Sequence, residues 1–106
     1  MKDNYIIVKG STGMHRVAFG LILYVSVIGH HCHVYTGLQV YTIRCTLKEL
    51  METRDRHLLQ QVHRSFAVNM QMVSGFNRKQ VFIRNHTVPL SRSFYKAVAE
   101  QFFNST

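Results

Sequence analysis

Apolar residues recur along the chain in short stretches that alternate with polar positions, and glycine or polar pairs separate the stretches. That pattern predicts strands. Tyr5 to Lys9 reads as a first strand, Gly10-Ser11-Thr12-Gly13 as a turn, and His15 to Phe19 as the returning strand of a hairpin. Leu21 to Val27 is apolar almost throughout, as a strand covered on both faces would be, and Gly29 breaks it. In His31 to Tyr35, alternation sends Cys32 and Val34 to one face and His31, His33 and Tyr35 to the other. After a Thr36-Gly37 turn, Val40 to Cys45 turns Tyr41, Ile43 and Cys45 one way and Arg44 the other. Thr46 followed by Glu49 has the spacing of a capping box, which predicts a short helix from Leu47 to about Thr53. Arg54 to Gln61 is polar and reads as irregular chain. Phe66 to Asn69, Met72 to Phe76, Gln80 to Arg84 and Thr87 to Leu90 read as further strands, with turns at Asn77-Arg78 and Asn85-His86. Ser91 is a candidate N-cap for a last helix, Arg92 to Phe103, whose Phe94, Val98 and Phe102 share one stripe. The class is mainly β, with short antiparallel strands, one short middle helix and one C-terminal helix.

Composition adds a core and a charge. The 106 residues suggest one domain, residues 1–106. With 46 % hydrophobic and 17 % charged residues, the chain can bury a core and does not read as a disordered tail. The longest apolar run, Val17 to Ile28, is too short to cross a bilayer, and the first residues lack the layout of a signal peptide. No membrane partner is expected. Lys and Arg number 13 against 5 acidic residues, a formal charge of +8. Such a surface attracts polyanions, of which nucleic acid is the commonest, although an anionic membrane surface or a merely basic exterior would have the same composition. Two cysteines, Cys32 and Cys45, form neither a CxxC pair nor a disulfide framework, which fits a reducing, cytoplasmic setting.

Few residues are arranged for catalysis. Gly10-x-x-Gly13 lacks the Gly-Lys-Ser/Thr of a phosphate-binding loop and reads as a hairpin turn. His30-His31-Cys32-His33 is the stretch most like a metal site, but a strand sends His31 and His33 one way and Cys32 the other, and no second cluster completes a tetrahedron. Neither metal nor cofactor is therefore expected. Nor do the acidic residues or the thiols form a hydrolytic pair, so the chain does not read as an enzyme. Arg44, Arg64, Arg78, Lys79, Arg84, Arg92 and Lys96 fall instead at turns, element ends or outward faces. Arg92 follows the Ser91 cap at the positive end of the last helix, where phosphate or a guanine edge would be favoured.

Four segments carry a family resemblance. Ile22-Leu23-Tyr24-Val25 with Gly29-His30-His31-Cys32-His33-Val34-Tyr35-Thr36 is similar to the first core strand and hairpin of the LytTR DNA-binding domain. Tyr41 to Leu50 is similar to that family's strand and "sLkeLe" helix, Val62-His63-Arg64-Ser65-Phe66-Ala67-Val68-Asn69 to its "vHrSfiVN" signature, and Val88 to Tyr95 to its "ipvSr.y" ending. They occur in the family's order and spacing.

The resemblance implies an elongated arrangement of about ten short antiparallel strands in several small sheets. It also implies a cytoplasmic bacterial output domain of response regulators that binds double-stranded DNA at repeated promoter sites, often as a dimer. A receiver domain and a sensor kinase belong to such systems; this chain reads either as an excised output domain or as a stand-alone regulator. Carried over residue by residue, the family's three base-contacting regions are His31, Arg64 and Arg92, with His30 and His33 beside the first. Arg44, Arg78, Lys79 and Lys96 are candidate phosphate contacts. Strict alternation back from Phe66 would turn Arg64 inward, so its role requires the strand to start near Phe66 with a loop before it. His63 is expected to hold that loop by hydrogen bonding. The family's acidic residues around the first core strand are replaced here by Gly20-Leu21 and Ser26, which bears on the path of the loop carrying His31. The alternatives are a protein-interaction module of the same fold, or a zinc protein using the His30–His33 cluster.

Overall fold

In the computed structural model, which describes residues 5–52 and 59–104, these residues form ten strands and two α-helices. Strands β1 (Tyr5–Gly10), β2 (Gly13–Ala18), β3 (Ile22–Ile28), β4 (His31–Thr36), β5 (Val40–Arg44), β6 (Leu59–His63) and β7 (Phe66–Asn69) make one antiparallel sheet in the order β2-β1-β5-β4-β3-β7-β6. Strands β8 (Gly75–Phe76), β9 (Gln80–Ile83) and β10 (His86–Pro89) make a second, in the order β10-β9-β8. Helix α1 (Leu47–Met51) follows β5, and α2 (Arg92–Asn104) closes the chain.

The large sheet is covered on both faces around β3. A register shift between Ile22 and Tyr24 lets Leu23 and Tyr24 face the same side, while Ile22 and Val25 face the other. On the first side Ile22, Val25, Cys32, Val34 and Ala67 pack with Val8, Val17, Phe19 and with Leu47 and Leu50 of α1. On the second side Leu23, Val62 and Val68 pack with Val81, Ile83 and Val88 of the small sheet and Val98 of α2. The capping box of α1 forms as its spacing predicts: the Glu49 amide donates to Thr46 Oγ1 at 3.1 Å and the Thr46 amide donates to Glu49 Oε1 at 2.8 Å.

Asn69, 1 % exposed, ties the halves together. Its Nδ2 donates to the Phe19 carbonyl at 3.1 Å and the Ile22 carbonyl at 3.0 Å, and its Oδ1 accepts from the Gln71 amide at 3.0 Å. This bonding also starts a 3-10 turn at Met70–Met72, so the strand expected from Met72 shrinks to the two residues of β8.

Other boundaries move as well: Phe19 and Leu21, expected in strands, belong to a 3-10 turn at Phe19–Leu21, and Cys45 lies one residue past β5. Residues Leu59 to Gln61, expected to be irregular, belong to β6, while Arg54 to Leu58 and the expected helix end at Thr53 lie outside the described residues. The β9–β10 turn sits at Arg84-Asn85, one residue early, because Arg84 takes φ +54°, a left-handed conformation that ends the strand. Gly29, at φ +62°, makes the β3–β4 turn at no steric cost. Among the described residues no helix is long and apolar enough to cross a membrane.

Candidate nucleic-acid interface

Antiparallel pairing delivers two turns and the end of β5 to one end of the large sheet. Strand β3 rises to Ile28, turns through Gly29-His30, and β4 departs at His31 directly opposite Ile28. On its other side His31 pairs with Arg44, the last residue of β5. Strand β7 starts at Phe66 opposite Ser26, so the Arg64-Ser65 turn between β6 and β7 reaches the same end. A hydrogen bond from the Val27 amide to the Ser65 carbonyl, at 2.9 Å, joins the two turns.

The last helix is brought to this end by two backbone bonds. The Ser91 amide donates to the Val62 carbonyl at 2.8 Å, which sets Arg92 beside the end of β6. The Leu90 amide donates to the Lys79 carbonyl at 2.9 Å, which brings in the β8–β9 turn with Arg78 and Lys79. The sequence-predicted residues therefore form a row: Arg44, His31 and His30, then Arg64, then Arg92 with Arg78 and Lys79. All of them are exposed. Lys96, also exposed, stands one turn along α2 from Arg92.

Two basic positions stand apart. His33 is set back along β4, half-buried, with Nδ1 3.4 Å from Thr42 Oγ1. Arg84 lies at the opposite end of the sheet, lining a hollow with Thr36, Gly37, Leu38 and Met72.

Local bonding holds the row. His63 Nδ1 accepts from the Ser65 amide at 3.1 Å, closing the turn that carries Arg64 and placing the ring proton of a neutral imidazole on Nε2. The His63 ring meets Phe66 edge-on at 5.6 Å, and Phe66 leans on Tyr24, which stacks on Tyr35 at 4.3 Å. Burial, with the charge of Tyr35, pushes the Tyr24 hydroxyl pKa up. Arg64 is thus outward on a braced turn, and strand β7 does begin at Phe66, although a strand rather than a loop precedes the turn. Across the row, the Arg78 guanidinium lies 4.8 Å above the Tyr95 ring. Arg78, Lys79, Arg92, Leu90 and Tyr95 line a groove of about 500 Å³. The stacking of Arg78 on Tyr95 has no local sequence signal; it depends on the turn meeting α2.

The electrostatics of the row are one-sided. Among the described residues the acidic side chains are Glu49, Glu52 and Glu100. Glu49 lines a small groove with His30 and Arg44. Its carboxyl is held below the usual carboxylate range, first by the Thr46 backbone amide, then by the Thr46 side chain, with the His30 imidazole adding to the effect. Such a row of outward cations and imidazoles, carried on three turns and one helix start, suits a repeating anionic surface.

Comparison with known proteins agrees. A family model described as the LytTr DNA-binding domain matches residues 12–103. The chain belongs to the LytTR family. This is a family of DNA-binding domains used in transcription regulation, and not a catalytic one. No curated protein matches the sequence. Among solved structures, the fold is similar to the LytTr DNA-binding domain of a methyl-accepting/DNA response regulator from Bacillus cereus, with a TM-score of 0.75 and 19 % identity over 97 % of this chain and 99 % of that one. The ten antiparallel strands and two helices are thus the LytTR fold.

In that fold the His30–Cys32–His33 stretch does not converge. Cys32 faces the first core while His31 and His33 face away from it, and among the described residues no group of three or more His, Cys, Asp or Glu is placed to hold a metal ion. The LytTR signature His63-Arg64-Ser65-Phe66-Ala67-Val68-Asn69 separates into parts. His63 and Asn69 are internal hydrogen-bonding residues, Ala67 and Val68 are core, and Arg64 is left pointing outward.

Proposed function

We propose that this chain, residues 1–106, acts as a single LytTR-type unit that binds double-stranded DNA sequence-specifically and regulates transcription at promoters. His31, Arg64 and Arg92 enter successive grooves and read base edges. Arg44, Arg78, Lys79 and Lys96 hold phosphates, and His30 and His33 support the contact at His31. The supporting observation is the row itself: residues distant in sequence are gathered at one sheet end by the Val27–Ser65 and Ser91–Val62 backbone bonds. Each reading residue stands on a turn or helix start backed by a rigid sheet, the arrangement that lets a short segment enter a groove.

The same reading places the protein in the bacterial cytoplasm, at repeated promoter sites where two copies bind side by side. It acts there as the output part of a two-component response regulator, with a receiver domain and a sensor kinase upstream. The test is selection of bound duplexes from a random pool, followed by sequencing. The expected result is a short motif repeated at helical-turn spacing. A pool that shows no enrichment, or enrichment of single-stranded species, refutes the proposal.

A further inference from the structure

Two thiols lie directly behind the first part of the row. Cys32 follows His31 on β4, and Cys45 follows Arg44 at the end of β5. Both are free, and their Sγ atoms stand 3.3 Å apart. The Cys32 thiol donates to the Cys45 carbonyl oxygen, also at 3.3 Å. Cys32 is 0 % exposed, in the core with Leu47 and Leu50 of α1. Cys45 is half-buried and lines a groove of about 240 Å³ with His30, Arg44, Thr46 and Glu49. A small solute can therefore meet Cys45, while Cys32 is closed to it.

We propose that Cys32 and Cys45 are a reversible disulfide site, oxidised by a small hydroperoxide, and that closing the disulfide weakens DNA binding by displacing His31 and Arg44. The second half rests on the DNA reading above; the first half does not.

The chemistry runs in two steps. The Cys45 thiolate attacks the outer oxygen of the hydroperoxide, the O–O bond breaks, and the alcohol leaves with the proton that Cys45 gave up. Cys45 is now a sulfenic acid. The Cys32 sulfur then attacks the Cys45 sulfur, the S–OH bond breaks, and water carries off the hydroxyl and the Cys32 proton. Two thiols are oxidised to one disulfide, and the peroxide is reduced to an alcohol and water. Burial, with the Cys45 hydrogen bond and the charges of Cys45 and Glu49, pushes the Cys32 thiol up to about 12. Cys32 therefore stays protonated in the reduced protein, so the first attack on the peroxide falls to Cys45, and Cys32 attacks second only as its proton passes to the departing hydroxyl.

Geometry links the bond to the row. Cys32 pairs with Ile43, so Cys45 is its diagonal neighbour. Diagonal neighbours have Cα atoms about 7–8 Å apart, whereas disulfides hold them within about 6.8 Å and need an S–S bond of about 2.05 Å. Closing the sulfur–sulfur gap from 3.3 Å to a bond of about 2.05 Å draws the two segments together. Cys45 lies past the last residue of β5, so that end moves, and with it Arg44 and its partner across the strands, His31. A disulfide that forms only with such a shift is of the labile, sensing kind rather than the structural kind.

The test treats the purified chain with hydrogen peroxide. Free thiols are alkylated under denaturing conditions, intact mass is measured, and affinity is titrated against a selected duplex. The expected product is a monomer that has lost two hydrogens and has no alkylatable thiol. Its affinity should be lower by about tenfold or more, and dithiothreitol should restore it. Cys45→Ala should leave Cys32 alkylatable and make DNA binding indifferent to peroxide. Cys32→Ala should stop Cys45 at a sulfenic acid that dimedone traps. Persistence of both thiols in the parent, disulfides formed only between chains, or a closed disulfide with unchanged affinity overturns the proposal. A reduced chain that binds no duplex overturns the DNA reading, while the mass measurement still decides whether the disulfide site exists.

Discussion

Arg92 and Asn69 show how different two polar residues of one family signature set can be. Arg92 opens α2, exposed, with no role in the core. Arg92→Ala should therefore leave thermal unfolding unchanged and cost about 1–3 kcal/mol of specific binding, with relaxed preference at one base position. Titration against the selected duplex and single-position variants of it measures both. Equal affinity of parent and variant for selected and random duplexes would remove Arg92 from the reading set. Asn69 is the converse. Its amide is the partner of the Phe19 carbonyl before β3, of the Ile22 carbonyl at the start of β3, and of the turn that leads to β8. Asn69→Ala would strand the two carbonyls, at buried Phe19 and Ile22, at about 1–3 kcal/mol for each group left unsatisfied, while the exposed Gln71 amide turns to water. Urea unfolding should show a loss of about 2–3 kcal/mol overall, and peptide-like sensitivity to protease should appear first around Phe19 to Ile22.

At the scale of elements, α1 offers a pH test. Glu49 is depressed because it accepts from the Thr46 amide, so the folded state binds its proton less readily than the unfolded chain does. A depressed carboxyl stabilises above its unfolded value, here 4.5, and that contribution is lost as pH falls through the lower folded value. Stability should decline on acidification below about pH 4.5, and Glu49→Gln should show a shallower decline over that window in urea titrations at several pH values.

The capping box behind this prediction was legible in the sequence because its signal is local, as were the β1–β2 hairpin, the doubly covered β3 and α2. Strand β6 was not. It is an edge strand, so Gln60, Gln61 and His63 need not be apolar, and the irregularity between Gln61 and His63 breaks the period of two by which strands are recognised. The strand expected from Met72 failed for another local reason, the Asn69 side chain competing for the backbone at Gln71. Of the interface, the individual turns were legible from glycine and polar pairs and from the family resemblance. Their convergence was not, because it depends on Ser91 meeting Val62 and Leu90 meeting Lys79, contacts between segments distant in sequence.

At the scale of the whole molecule, the charge of +8 is distributed so that binding and reading should separate. Phosphate contacts release counterions, so log affinity should fall linearly with log salt for any duplex, specific or random, at a slope of about −0.9 per phosphate neutralised. Arg44 at the end of β5, Lys79 on the β8–β9 turn and Lys96 on α2 are exposed, and as proposed they hold phosphates rather than read bases. Lys79→Ala should weaken selected and random duplexes alike and make the slope shallower by about one unit. Arg92→Ala should instead weaken the selected duplex more than the random one. Arg78 provides a third case, because its guanidinium is already stacked on Tyr95. Tyr95→Ala removes that support without removing any charge, so it should lower affinity through a less ordered Arg78 while leaving the salt slope nearly unchanged. Anisotropy titrations at several salt concentrations, on both duplexes, distinguish the three. If Lys79→Ala and Arg92→Ala gave the same ratio of specific to random affinity, the row would be a uniform cationic cradle, and base reading would have to lie elsewhere on the fold.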